Sequence, residues 1–330
     1  MSLLVKGELK EDWFEKSSND GEYVRKDSQF RNWITADGKA GISGTGGFVA
    51  EKDRYHLYVS YACPWAHRTL IFRKLKKLED FISVSVVHPY MDNAGWSFAE
   101  DFPAATGDRL NNFSYMHEVY TRARPDYSGV VTVPVLWDKK LETIVNNESS
   151  EIIRMLNSAF NHLIDNEKAK MLDLYPARKQ IEIDEINSRI YDDINNGVYR
   201  TGFATTQKSY EKAYYKLFNA LDDIETRLAG QRYLCGDTVT EADWRLFVTL
   251  IRFDVVYVGH FKCNKKRIAD YPNIFNYMLE LYQWPGVAET TFIDHIKYHY
   301  YYSHEMINPT QIVPLGPEQD LLQKHNRDLM

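Results

Sequence analysis

Cysteine is scarce in this sequence. Of 330 residues only three are cysteine, at positions 63, 235 and 263, too few and too scattered for the disulfide framework of a small secreted domain. None lies in a C-x-x-C pair, and no Cys/His cluster has zinc-ligand spacing, so no metal is expected. Any cysteine chemistry is therefore that of a single thiol, in a reducing and by expectation cytoplasmic compartment. Long apolar runs are missing as well. A bilayer span takes about 18–20 apolar residues, and the best stretch, 246–261, is broken by Arg252 and Asp254. The opening MSLLVKGELKEDW turns charged too early for a secretory signal. Nor is there an excess of positive charge: 40 basic against 46 acidic residues leave −6, with no basic block. That argues against non-specific nucleic-acid binding, which rests on neutralising phosphates. Neither a nucleic acid nor a membrane is an expected partner.

What is present is core-forming material. Apolar residues make up 44% and charged residues 26% of the chain, enough for two packed domains. Tyrosine, at 23, outnumbers phenylalanine, at 16; each tyrosine couples apolar bulk to a polar tip, suited to lining a site as well as a core. Residues 1–50 are polar and glycine-bearing and read as an irregular extension. Their GTGGF lacks both the Lys-Ser/Thr of a phosphate loop and the G-x-G-x-x-G spacing. From 51 to 160 strand and helix patterns alternate: a strand at 54–61, a helix from Pro64 to Lys77 ending in cations, a strand at 81–87, short strands at 130–137 and 143–145, and a helix at 149–157. The order β-α-β, then β-β-α, is that of a thioredoxin-like α/β domain, interrupted by a long insert at 88–129. From 165 to 305 the period is helical. Ile183, Ile186, Ile190 and Ile194 mark one apolar face, as do Leu217, Leu221, Ile224 and Leu228. Thr240-Glu-Ala-Asp243 has the form of a helix cap. This second domain is read as all-α, and 306–330 as an extended tail.

The chemistry concentrates at Cys63-Pro64-Trp65-Ala66, where the first strand hands over to the first helix. Unpaired N–H groups at a helix start stabilise a thiolate, and proline suits the first helical position. His67 and Arg68 come one turn on. Because Ala66 stands where a second cysteine would resolve an oxidised Cys63, an external thiol must do so. Cys235 and Cys263 lack this context and read as packing residues. Val133-Pro134 falls inside a strand run, where a cis-proline would turn the Val133 amide and carbonyl outward toward a peptide-like ligand. Asn147-Glu148-Ser149-Ser150 opens a helix whose N–H groups and hydroxyls suit a substrate carboxylate.

Strand–CPWAHR–helix, then VTVP, then NNES, then a helical half containing TEAD, resembles a glutathione transferase. The monothiol C-P-x-A is similar to the omega-like branches. FRNWITADG and GTGGFVAEKDRYHLYVSYACPWAHRTL early, with GDTVTEADWRLFVTLIRFDVVYVGHFKCN late, resemble the glutathionyl-hydroquinone reductases, or xi-class glutathione transferases, over almost the whole chain. The resemblance implies that Cys63 is the nucleophile and that Val133, Glu148 and Ser149 contact glutathione. It implies that Trp96 forms an aromatic wall and that Tyr199, Tyr257 and Tyr300 contact the hydroquinone, with Tyr199 and Tyr300 in catalytic roles. Tyr298, Tyr301 and Tyr302 lie close enough to Tyr300 for a register slip, and core packing is the other fate open to each tyrosine. It further implies glutathione as co-substrate, no metal, and a homodimer. Two other readings stand beside it: an omega-like thioltransferase or dehydroascorbate reductase, and a non-catalytic assembly module of the same fold.

Overall fold

The computed structural model describes residues 2–10 and 20–330, so residues 1 and 11–19 of the expected extension lie outside it. The chain divides into two compact units. Of the described residues, the first comprises 2–10, 26–173 and 290–299, the second 20–25, 174–289 and 300–330.

The first unit is built on strand β3 (Tyr55–Val59), whose five residues are all buried, as a strand covered on both faces requires. Two short strands precede it in sequence, β1 (Leu3–Val5) and β2 (Glu8–Lys10). Helix α1 (Pro64–Leu75) and strand β4 (Ile82–Val86) come after it. Next are β5 (Met91–Asp92), β6 (Gly95–Trp96), α2 (Met116–Ala123), β7 (Gly129–Val130), β8 (Val135–Asp138), β9 (Thr143–Asn146), α3 (Ser149–Ser158) and α4 (Glu167–Met171). The central sheet has the order β4-β3-β8-β9. β3 runs parallel to β4 (Leu57 opposite Val84) and antiparallel to β8 (Leu57 opposite Leu136). This is the thioredoxin-like order read from the sequence.

Two segments differ from that reading. The extension is not wholly irregular: β1 pairs with β2 and, through Leu4 opposite Gly129, with β7. The run 130–137 is not one strand either. It serves β1 at Val130, leaves the sheet through Val133-Pro134, and joins β3 only from Val135. A proline has no N–H for a ladder, so the chain changes partner there. The insert 88–129 contains the β5–β6 hairpin and α2 and is organised by Asp108, whose carboxylate accepts from the Leu110, Asn111 and Phe113 amides and from Tyr58 Oη. Under the sheet's far end, Asp138 is fully buried and takes Arg54 Nε and Nη2 at 3.0 and 2.6 Å.

The second unit is helical: α5 (Gln180–Arg189), α6 (Gly197–Gly202), α7 (Gln207–Gly230), α8 (Glu241–Arg252) and α9 (Pro272–Tyr282). Helix α10 (Ile293–Ser303) gives residues 293–299 to the first unit and 300–303 to the second. All twelve residues of α8 are buried, and the Thr240–Asp243 capping box forms as expected. Asp243 also accepts from Leu234 N and Tyr277 Oη, both within 2.9 Å. The isoleucine face at 183–194 does not lie on one α-helix, because residues 190–195 widen into a π turn, with a second at 253–257. The tail is irregular but anchored: the buried Arg327 guanidinium donates to the carbonyls of Leu228, Gln231 and Arg232 at the end of α7. Among the described residues no helix is long and apolar enough to cross a membrane.

Candidate active site

In the first unit Cys63 is the N-cap of α1, with extended backbone and Pro64 at the first helical position. Its amide donates to Ser60 O and its carbonyl accepts from His67 N, so the residue is fixed on both sides. All three cysteines are thiols. Cys63 is half-buried, and its Sγ donates to the Val133 carbonyl at 3.4 Å. The Val133–Pro134 peptide is cis, as the strand-run argument anticipated. Cys63 packs against a hydrophobic cluster that contains Trp96 and Val133. Trp96 is buried in β6 and stacks on His299, with ring centroids 4.6 Å apart.

The start of α3 supplies the second feature. Glu148 is its N-cap, and one carboxylate oxygen accepts from Ser150 N at 3.0 Å and Ser150 Oγ at 2.8 Å. The helix thus spends part of its donor capacity on its own cap. Glu148's other oxygen takes Ser28 Oγ at 3.3 Å. Ser149 is buried and accepts from Arg68 Nη1 at 3.4 Å, while the Arg68 guanidinium lies 4.6 Å over the Trp65 ring. Arg68 is thus buried on α1, carrying positive charge from the cysteine's helix to the serine. His67 is buried too and turns to Thr290 Oγ1 at 2.9 Å.

In the second unit three phenols meet. Tyr300, fully buried on α10, has its Oη 2.6 Å from Tyr199 Oη and 3.1 Å from Tyr257 Oη. Tyr199 sits on α6 just after the first π turn, and Tyr257 closes the second. Burial pushes the Tyr300 phenol well above its ordinary range, so it stays protonated and can donate. Of the neighbouring tyrosines, Tyr298 packs on Phe102 in the first unit and Tyr301 on His260. Around Tyr199 lie residues that no motif marked, Tyr23 and Arg25 of the extension. Burial pushes the Cys235 thiol up to about 11 and the Cys263 thiol higher still.

Among the described residues no group of three or more His, Cys, Asp or Glu side chains could hold a metal. A polar cavity of about 530 Å³ opens at the outer edge of β4, between Arg73, Arg109, Lys139 and His56. Two of its cations are already matched, Arg73 by the Ile82 and Glu79 carbonyls and Lys139 by Asp53. None of the sulfur-site residues lines it.

A helix-capping thiol facing a cis-proline's carbonyl partner on a thioredoxin-like sheet, with a helical unit after it, defines a glutathione transferase of the cysteine type. Models of the glutathione S-transferase N-terminal and C-terminal domains match residues 62–159 and 207–280. Glutathionyl-hydroquinone reductase YqjG of Escherichia coli is 56% identical over 100% of this chain and 99% of that protein. Its glutathione-bound structure superposes with a TM-score of 0.91 at 55% identity over 99% of each chain. PcpF of Sphingobium chlorophenolicum, another glutathionyl-hydroquinone reductase, is 51% identical over 97% of this chain and 98% of its own length. The glutathione-S-transferase Xi of Phanerochaete chrysosporium gives a TM-score of 0.87 at 56% identity, over 92% of this chain and 95% of that one. The chain belongs to the glutathione transferase family, in its xi class of glutathionyl-hydroquinone reductases.

Proposed function

We propose that this protein reduces glutathionyl-hydroquinones to hydroquinones with glutathione as the reductant. The observation that carries the reading is Cys63 as the capping thiol of α1, 3.4 Å from the Val133 carbonyl, in a chain 56% identical along its length to such a reductase. In the first step the Cys63 thiolate attacks the glutathionyl sulfur. A sulfur–sulfur bond forms, the carbon–sulfur bond breaks, and its electron pair stays on the ring carbon, which takes a proton. The products are free hydroquinone and a Cys63–glutathione disulfide. In the second step a glutathione thiolate attacks that disulfide, releasing glutathione disulfide and restoring Cys63. Atoms and electrons balance with one glutathione consumed per ring reduced.

The family resemblance supplies the residue roles, and the chemistry of each group fits them. The Val133 backbone pairs with the cysteinyl part of glutathione. The Glu148 carboxylate takes its ammonium, and Ser149, next to Arg68, its γ-glutamyl carboxylate. Trp96 supplies an aromatic wall. Tyr199, Tyr257 and Tyr300 hydrogen-bond the ring oxygens, and a phenol supplies the proton. Residues 51–160 serve as the glutathione domain, 165–305 as the ring-binding domain, and no metal takes part. The protein works as a cytoplasmic homodimer; sedimentation would check the dimer and cell fractionation the compartment. Mass spectrometry after incubation with a glutathionyl-hydroquinone tests the core of the scheme: one glutathionyl group on Cys63 and none on Cys235 or Cys263. An unmodified Cys63, or faster turnover of a small mixed disulfide than of the aromatic substrate, would point instead to another activity of the same fold.

A further inference from the structure

We propose that Arg25 is a positioning residue for Tyr199, its guanidinium fixed over that ring so that Tyr199 is the member of the phenol cluster that gives up a proton. The inference rests on the reading of that cluster as the hydroquinone's partner.

Residues 20–25 of the extension are tied to the second unit. Thr205 N donates to Gly21 O at 3.1 Å, the Thr206 and Ser209 hydroxyls to Asp20 O, and Lys212 to Glu22 at 2.7 Å. Gly21 has φ +81°, and a Cβ there would meet the Thr205 and Thr206 side chains inside 3 Å, so the close approach requires glycine. From this anchor Tyr23 stacks on Tyr199 with centroids 6.2 Å apart. Arg25 Cζ lies 5.1 Å from the Tyr199 centroid. Its Nε donates at 2.8 Å to Oδ1 of Asn196, a buried residue one helical turn before Tyr199. The cation is thereby tethered to the backbone segment that carries the ring it covers.

A cation over an aromatic face is attracted to the ring's electrons, and more strongly once the phenol is deprotonated and charge enters the ring. Among the described residues, titratable groups that face Tyr199 include Tyr23 from the extension, Tyr257 from the π turn and Tyr300 from α10, while Arg252 acts on Tyr300. Fully buried Tyr300 keeps its proton and can donate to a Tyr199 phenolate, whereas Tyr199 is half-buried. Tyr199 then protonates the ring carbon that loses sulfur and recovers its proton from water.

The test uses the full-length protein labelled with ¹³Cζ-tyrosine, the Tyr199 signal being assigned by Y199F. In R25Q that signal should titrate at higher pH than in the wild type, with R25K retaining most of the wild-type position. Turnover of a glutathionyl-hydroquinone should fall roughly two- to fivefold in R25Q, in kcat and not in the KM for glutathione. N196A, which keeps the cation and removes its tether, should fall between. An unmoved Tyr199 titration in both R25Q and N196A, or R25K behaving as R25Q, would overturn the proposal. So would a moved titration with wild-type kcat. Wild-type turnover in Y199F is a different failure, one that removes the hydroquinone reading of the cluster itself.

Discussion

In the first unit the candidate reactive group is held mainly by main chain. Cys63 is set by its own amide and carbonyl bonds, by the start of α1, and by the carbonyl of Val133. In the second unit the corresponding feature is made of side chains from separate segments, Tyr199, Tyr257 and Tyr300, joined at their hydroxyls and by ring contacts between each pair. A backbone-built site tolerates change around it so long as the turn survives. A site of convergent side chains depends on the packing of every helix that contributes one.

The sulfur is where a single substitution separates the two units most sharply. Cys63→Ser should lower glutathionyl-hydroquinone turnover at least about 10³-fold, on the order of 4 kcal/mol in transition-state terms. Cys235→Ala and Cys263→Ala should stay within about twofold, since both thiols are buried and held protonated. Iodoacetamide near pH 6, with peptide mass spectrometry as the readout, should label Cys63 first.

Next come the buried polar anchors, one per unit. Arg54→Ala strands the fully buried Asp138, and Asp243→Ala leaves the Leu234 amide and the Tyr277 hydroxyl without their acceptor. Each should cost about 3–5 kcal/mol. Fluorotryptophan signals from Trp137 and Trp244, buried in the first and second units respectively, would report which unit loosens.

The units should respond alike to acid. Burial holds His56 in the first and His260 in the second down at about 4. Each stays neutral when folded and charges near 6.5 when unfolded, so the unfolded chain binds more protons between those values. Stability is therefore full above pH 6.5 and falls as pH drops toward 4, by about 2–3 kcal/mol per histidine. Urea titrations of H260N across that range should show a shallower slope than the wild type.

Tyr300→Phe removes the hub hydroxyl. It should slow hydroquinone formation roughly 10- to 100-fold while leaving exchange of Cys63 with a small mixed disulfide near normal; equal losses in both assays would erase the distinction between the two sites. Among the site residues the smallest effect is expected from Ser149→Ala, about a threefold rise in the KM for glutathione, in line with a single hydrogen bond.

The same contrast explains what was legible in the amino-acid order. CPWA and VTVP are short local words, because a helix start and a cis-proline are made by adjacent residues, and both appear where they were placed. The α/β-then-α order was equally readable from periodicity. Tyr300 could be reached only through family resemblance, since a tyrosine in HYYYS has nothing local to separate it from its neighbours. Its two hydroxyl partners lie 43 and 101 residues away. Pairing of β1 with β7 was missed because three-residue strands carry little pattern. Arg25 and Tyr23 were passed over because a polar, glycine-bearing stretch looks the same whether it is docked or loose.

The two π turns carry a consequence for how this helical unit tolerates length changes. Each turn admits one residue more than an α-helix would, and one residue amounts to roughly 100° of rotation about the axis. Trimming a single residue from 190–195 would swing Tyr199 about a quarter of the way around its helix, and a cut in 253–257 would rotate the residues beyond Tyr257 by the same amount. Deletion scanning through these segments should therefore be far more damaging than alanine scanning, and restoring a residue of any type at the same rung should recover much of the loss.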